Sequence, residues 1–236
     1  MIFFTRLIIM IHLIKHRSLR KIPEPSLLRL CKLYHFLTDE HKKGTTSISS
    51  KDIGRRLGVG SHNIRKDINY LGEAGKSGAG YNVKHLSSLI EHSLGLTKHR
   101  NSCLIGMGAL GMVLLNYLDQ AFPGLSIVAG FDSNINRIET IHASIPLFPA
   151  YEIADVARRM NIELAVITEA DSNIGKIIER CRAGGVRGIL NLTPAILNDD
   201  ETGIYVRNVD IVSECGFLLA LFTLNERHNA SSSGAL

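Results

Sequence analysis

The chain has 236 residues, enough for one large domain or two smaller ones, and an apolar share of 45% excludes a disordered polymer. Charge is divided unevenly: residues 1–100 hold 18 Lys and Arg against 7 Asp and Glu, a net of +11, whereas residues 101–236 hold 9 against 15, a net of −6. A polyanionic partner is therefore expected for the first part alone, with the boundary near His99 and Arg100. Cys31, Cys103, Cys181 and Cys215 lie far apart with no C-x-x-C spacing. That argues against a metal site or a redox dithiol and fits a reducing, cytoplasmic setting.

Met1 to Ile14 is strongly apolar, and Lys15, Arg17, Arg20 and Lys21 follow it. A secretory signal would have its basic residues first and a small-residue cleavage site after. The run is also too short to span a bilayer. Residues 1–21 are expected to be a poorly ordered extension; a membrane-touching or DNA-touching arm is the alternative. Pro23-Glu24-Pro25 then opens a helix with Leu27, Leu30, Tyr34 and Leu37 on one face, ending near Gly44. Ser49 and Asp52 have capping-box spacing before a short helix to Leu57. Gly58-Val59-Gly60 breaks that helix, and Ser61 is expected to cap the next, His62 to Leu71.

Helix, glycine turn, helix is the helix-turn-helix pattern. In the second helix Ile64, Ile68 and Leu71 share a face that should be buried, while His62, Arg65, Lys66 and Asn69 share another. Arg suits guanine, Asn suits adenine and Lys suits phosphate. An ordinary solvated amphipathic helix would look similar, but the two-helix layout and the basic charge favour DNA. Four glycines between Gly72 and Tyr81 exclude a helix interior and predict a hairpin tip carrying Lys76, the wing of a winged helix, with Tyr81 as its anchor. A further helix, Val83 to Leu94, has Leu86, Leu89, Ile90 and Leu94 on one face and leads to the second domain.

That domain opens on Cys103-Leu104-Ile105, then Gly106-Met107-Gly108-Ala109-Leu110-Gly111, then an apolar-periodic helix to Asp119. Strand, G-x-G-x-x-G, helix is the dinucleotide fingerprint: the glycines permit a tight turn, close approach of backbone to a pyrophosphate, and helix–strand packing. The helix start then binds the anion. A plain βα turn is the alternative, but a second apolar run, Leu125 to Phe131, ends in Asp132, placed to accept both adenosine ribose hydroxyls. Further strands are expected at Leu164–Thr168, Gly188–Leu190 and Ile204–Val206, with another at Ile145–Leu147, and helices at Ile153–Met160 and Asn173–Ala183. This β-α alternation predicts a parallel sheet with ligands at the carboxyl ends of its strands. The last helix, Ser213 to Leu224, is apolar nearly all round and must be buried on most sides, which by itself suggests a core helix covered by its own domain.

The runs Asn63 to Glu73, Gly75 to Tyr81, Gly188 to Pro194 and Val206-Arg207-Asn208-Val209-Asp210, with the glycine turn, resemble the Rex family of redox-sensing transcriptional repressors over about residues 22 to 226. The resemblance implies an α/β protein: a winged helix-turn-helix domain at 22–98, a Rossmann NAD(H)-binding domain at 99–209, a C-terminal helix at 210–226 swapped between the subunits of a homodimer, and a tail at 227–236. It adds Asn63 and Tyr70 to the DNA contacts and Asn191 and Thr193 to the cofactor contacts. Tyr117 and Asp210 match residues of the family's interdomain switch. His35 stands where the family usually has an Arg paired with that aspartate, so coupling here would depend on pH. Thr168-Glu169 stands where the family tends to have Val-Pro beside the cofactor.

The expectation is a repressor that binds palindromic operator DNA and releases it when NADH, rather than NAD⁺, binds. Asp132 should favour NADH over NADPH, since a 2′-phosphate would meet its charge; Arg137 is the nearest compensating cation. The alternatives are an NAD-dependent oxidoreductase with an appended DNA-binding domain, or a DNA-binding protein whose Rossmann domain is vestigial. Against an enzyme, no tyrosine has a lysine four residues later and no catalytic set is identified; His142 merely precedes an expected strand.

Overall fold

A computed structural model of the chain describes residues 22–72, 80–122, 124–169 and 174–233. The extension 1–21 and Lys76 of the expected wing lie outside the described residues. The chain forms two compact units that divide between Lys98 and His99.

In the first unit, α1 (Glu24–Lys42) starts from Pro23, with Pro25 in a first turn where a missing N–H costs nothing. Its buried stripe is Leu30, Leu33 and Leu37 rather than the expected face through Leu27, which is 40% exposed. Polar Ser26 is buried in the first turn instead, and its hydroxyl accepts from Arg29 Nη2 at 3.1 Å. Strand β1 (Ser47–Ile48) leads to α2 (Ser50–Leu57), capped by Ser49 Oγ, which accepts the Asp52 N–H at 3.1 Å. Gly58 closes α2 in the left-handed region at φ 68°. Helix α3 covers Ser61–Asn69, and its cap is Gly60, not Ser61. The turn is one residue tighter than expected, so Ser61 is already helical, and its hydroxyl instead accepts from Arg65 at 3.4 Å.

Strand β2 (Tyr81–Asn82) pairs antiparallel with β1, and α4 (Val83–Leu94) follows, capped by Asn82 and ended by Gly95. Ile53, Ile64, Ile68, Leu71, Val83, Leu86 and Ile90 join the α1 leucines in one core. Two features fix α3 in that core. Val59 N–H donates to Gly54 O at 2.9 Å, and a Cβ on Gly54 would lie 2.5 Å from Val59 O, so the α2–α3 corner admits only glycine there. Asp67, 1% exposed, takes a two-pronged grip from Arg29, Nε to Oδ2 at 2.6 Å and Nη2 to Oδ1 at 2.9 Å.

The second unit is a six-stranded, all-parallel sheet in the order β5-β4-β3-β6-β7-β8. Its elements are β3 (Arg100–Ile105), α5 (Ala109–Ala121), β4 (Leu125–Asp132), α6 (Ile135–Thr140), β5 (Leu147–Pro149), α7 (Ile153–Arg159), β6 (Ile162–Ile167), α8 (Ile174–Ala183), β7 (Gly188–Asn191), α9 (Asp199–Thr202), β8 (Tyr205–Asn208) and α10 (Ile211–Ser233). Counted within the unit, this is the doubly wound order 3-2-1-4-5-6, which reverses between β3 and β6 and opens a crevice at their carboxyl ends. The period of two divides the strands between two cores. Cys103, Ile105, Ala165 and Ile167 face one, with Ile153, Val156 and Ile178; Leu104 and Val166 face the other, with Met107 and Leu115.

Helices α6 and α9 were not expected; six and four residues are too few to show a helical period. The edge strand is β5 at Leu147–Pro149, two residues beyond the expected Ile145–Leu147. Helix α10 runs through Ser233, past the expected end at 226, because no glycine or proline follows Gly216 within it. Its residues from Ile211 to Glu226 are exposed, with Val212 75%, Phe217 59% and Leu219 63% accessible. Its own domain leaves these residues uncovered in this structure.

Removing one partner of a buried ion pair strands the other, at about 3 kcal/mol. Arg29→Met should therefore speed hydrogen exchange at the Ile64 and Ile68 amides about a hundredfold. Exchange within about threefold of the parent would show that the apolar core alone holds α3.

Candidate dinucleotide cleft and nucleic-acid face

The glycine turn leaves β3 at Gly106, whose φ of +95° suits glycine alone. Its N–H donates to Phe131 O at 2.8 Å, so the turn is stitched to the end of β4. Thr168, buried at the end of β6, holds the other side: its hydroxyl donates to Gly106 O at 2.6 Å. A Cβ on Gly106 would press on the Glu169 N–H and the Thr168 hydroxyl, and one on Gly111 would strike Gly106 O. Gly108 caps α5 with no side-chain hydrogen bond, which leaves the first amides of that helix for an external anion. Met107 contributes only backbone, since its side chain is fully buried; Ala109 is exposed and Leu110 half-buried at the helix start.

Asp132 ends β4 and is 3% exposed. Its Oδ2 accepts the Met107 N–H at 2.8 Å, and its Oδ1 accepts the Asn134 N–H at 2.8 Å. Arg137, from α6, lies over it and donates through Nη1 to Asp132 Oδ2 at 2.9 Å and to Glu169 Oε2 at 2.5 Å. Glu169, then Asp132, raise the guanidinium pKa further above its ordinary value. Together with Ile105, Gly106, Ser133 and Asn134 these side chains line a cleft of about 350 Å³ at the sheet's switch point, within the range of small-ligand sites. Glycine cradle, uncapped helix start and carboxylate at the second strand are the donor and acceptor set that fits an adenosine diphosphate half.

Asn191 and Thr193 do not line the cleft. Asn191, fully buried, donates to Ala195 O at 2.6 Å and Asn208 Oδ1 at 2.9 Å, and its Oδ1 accepts the Thr193 hydroxyl at 2.7 Å and N–H at 3.1 Å. Their side chains shape the loop after β7. Asp210 accepts the Val212 and Ser213 N–H groups at 3.0 and 3.1 Å and the Ser213 hydroxyl, so it caps α10; the Ser213 bonds hold its carboxyl below the usual range. Tyr117 stands 63% exposed on α5. His35 is exposed on α1, edge-on to Tyr34 at 5.8 Å.

In the first unit His62, Asn63, Arg65, Lys66 and Asn69 are exposed together on α3, and Tyr70 is half-buried. Arg65 donates to Ser50 Oγ at 3.2 Å, which bridges the two helices of the turn. Asp67 points inward to Arg29, so the helix's one carboxylate is removed from the basic face. Sequence reasoning missed that pair, although the signal exists: an acidic residue between Ile64 and Ile68, on the buried face, needs a partner. It placed Glu169 beside the cofactor but missed its ion pair with Arg137. Burial raises the Cys103 thiol pKa well above its ordinary value and that of Cys181 to about 12, so neither is poised for redox chemistry. Among the described residues no cluster of His, Cys, Asp or Glu could hold a metal ion, and no helix is long and apolar enough to cross a membrane.

Residues 21–69 match the family described as "Putative DNA-binding protein N-terminus", and residues 97–195 match the CoA binding domain. The chain is 36% identical over 191 residues to the redox-sensing transcriptional repressor Rex of Desulfitobacterium hafniense, covering 81% of this chain and 90% of that protein. It is 34% identical over 209 residues to Rex of Carboxydothermus hydrogenoformans, covering 89% and 98%. Among solved structures it is similar to RSP, a Rex-family repressor, with a TM-score of 0.72 and 26% identity over 90% of this chain and 97% of that one. It is similar also to RSP in complex with β-NAD⁺ and operator DNA, with a TM-score of 0.75 and 25% identity over 91% and 98%.

Gly108→Val would place a branched side chain where an anion must meet the α5 amides. Losing two such bonds, at about 1.5–3 kcal/mol each, should weaken NADH binding at least about a hundredfold. Calorimetric titration checks this, with circular dichroism to verify that the variant is folded; an unchanged affinity would show that the turn is only a corner.

Proposed function

The chain belongs to the Rex family of redox-sensing transcriptional repressors, and from that premise we propose that it binds operator DNA through α3 and releases it when NADH occupies the cleft of the second unit. The observation that carries this reading is the pairing, in one chain, of an exposed basic recognition face with a glycine cradle closed by Asp132. Lys66 supplies phosphate contact, Arg65 and Asn69 read base edges, and His62, Asn63 and Tyr70 complete the footprint, with Lys76 from the wing. Gly106 to Gly111 receive the pyrophosphate and Asp132 the adenosine ribose. Asn191 and Thr193 act through the loop they shape, as positioning residues.

NADH and NAD⁺ share their adenosine halves, so the difference between them must be read at the nicotinamide end. Only a difference in affinity between DNA-competent and DNA-incompetent arrangements can shift the population. A two-fold arrangement is part of the proposal: the exposed apolar part of α10, Ile211 to Leu224, is covered by a second copy, and two winged helices then meet a palindromic site. Tyr117, Asp210 and His35 carry the switch between the units. The protein acts as a sensor, not an enzyme, and works in the cytoplasm.

Fluorescence anisotropy of a labelled palindromic duplex, with half-sites one helical turn apart, tests the function. Saturating NADH should weaken binding by about tenfold or more, and NAD⁺ by less than about twofold. Equal effects of the two would end the redox-sensing reading. Phe217→Asp with Leu221→Asp should convert dimers to monomers in sedimentation velocity and reduce affinity for the palindrome; dimers that persist would place the interface elsewhere.

A further inference from the structure

The Glu169 carboxylate stands against Gly108, the cap of α5, at the spot where the turn and the helix start would receive an anion. A Cβ on Gly108 would collide with that carboxyl group rather than with any fixed backbone. The group is half-exposed at 47% and held from one side by Arg137 Nη1, which also covers Asp132. Arg137 is the cation of the cleft lining, and both its anionic partners are internal.

We propose that Glu169 is an internal anion that occupies the pyrophosphate cradle, so that dinucleotide binds only by displacing it, and that this residue sets the NADH level at which the DNA is released. The inference deepens the reading given under Proposed function and rests on it. The Glu169 carboxylate and a pyrophosphate, both negative, cannot stand together at one helix start in a half-enclosed cleft without mutual repulsion. A pyrophosphate entering the cradle meets Glu169 first, and Arg137 must loosen its hold on Glu169 and Asp132 before a ribose can reach the aspartate. Each of these costs subtracts from binding, and the Glu169 side chain, 47% exposed, is not one of the apolar residues that form the two cores. The Arg137 step is common to NADH, ADP-ribose and adenosine, whereas the repulsion at the cradle falls on the phosphates alone, and that part separates Glu169 from a general loosening of the cleft.

Calorimetric titration of the full chain with NADH, ADP-ribose and adenosine tests this, on the parent protein and on Glu169→Gln and Glu169→Ala. Both variants should bind NADH and ADP-ribose about tenfold more tightly, with adenosine changed by less than about twofold. Unchanged or weaker binding of NADH and ADP-ribose in both variants would overturn the proposal, and weaker binding would make Glu169 a contact to the cofactor. An equal gain for adenosine would also overturn it, since the effect would then run through Arg137 and Asp132 alone. A parent chain that takes up neither NADH nor ADP-ribose would instead defeat the parent function. A parent that binds both, with no gain in the variants, would defeat only this inference.

Discussion

The second unit depends on one carboxylate. Asp132 ends β4 and ties the glycine turn at the end of the neighbouring β3 to the start of its own following loop, through the Met107 and Asn134 amides. The tie adds a side-chain anchor at Met107 to the bonds that Phe131 O and Thr168 make to Gly106, and so fixes the direction in which the turn enters α5. The same carboxylate is the group that should meet a ribose. Structure and recognition thus share one side chain, which is economical where the strand order reverses and the crevice is already open.

A comparable division of labour governs the first unit, with the opposite sign. Helix α3 carries His62, Arg65, Lys66 and Asn69 outward, and a carboxylate among them would repel a phosphate backbone. Asp67 is kept from that face by turning inward to Arg29, where it anchors the helix to α1. Gly54 lets the two helices of the turn cross closely enough for Arg65 to reach Ser50. The one carboxylate of α3 is thereby the group that fixes the helix to α1.

The division into two units was legible in the sequence because its signals are local. Glycine spacing, the strand-ending Asp132, the Ser49 cap and the span of α4 each follow from neighbours within a few residues, and the structure has all of them. What was not legible depends on contacts across the chain. The buried stripe of α1 passes through Leu33 because Arg29 brings Asp67 to the first turn, 38 residues away, and displaces Leu27 to the rim. Asn191 reads as a polar residue at a strand end, but its partners include Asn208, 17 residues on. Glu169 reads as a departure from the family's pattern, with no hint that it meets Arg137 from α6 across the cleft.

The exposed C-terminal helix bears on how a small ligand could matter to DNA. A helix of 23 residues with Phe217, Leu218, Leu221 and Phe222 open to solvent cannot persist in water as it stands. In the proposed dimer its cover must come from the partner, so each subunit's last helix reports on the other's position. Asp210 caps this helix and directly follows β8 and Val209, whose N–H donates to Asn191 O at the end of β7. The Asn191 network therefore joins the loop at the carboxyl end of the sheet, the side on which ligands bind, to the first turn of the helix that a second copy would hold.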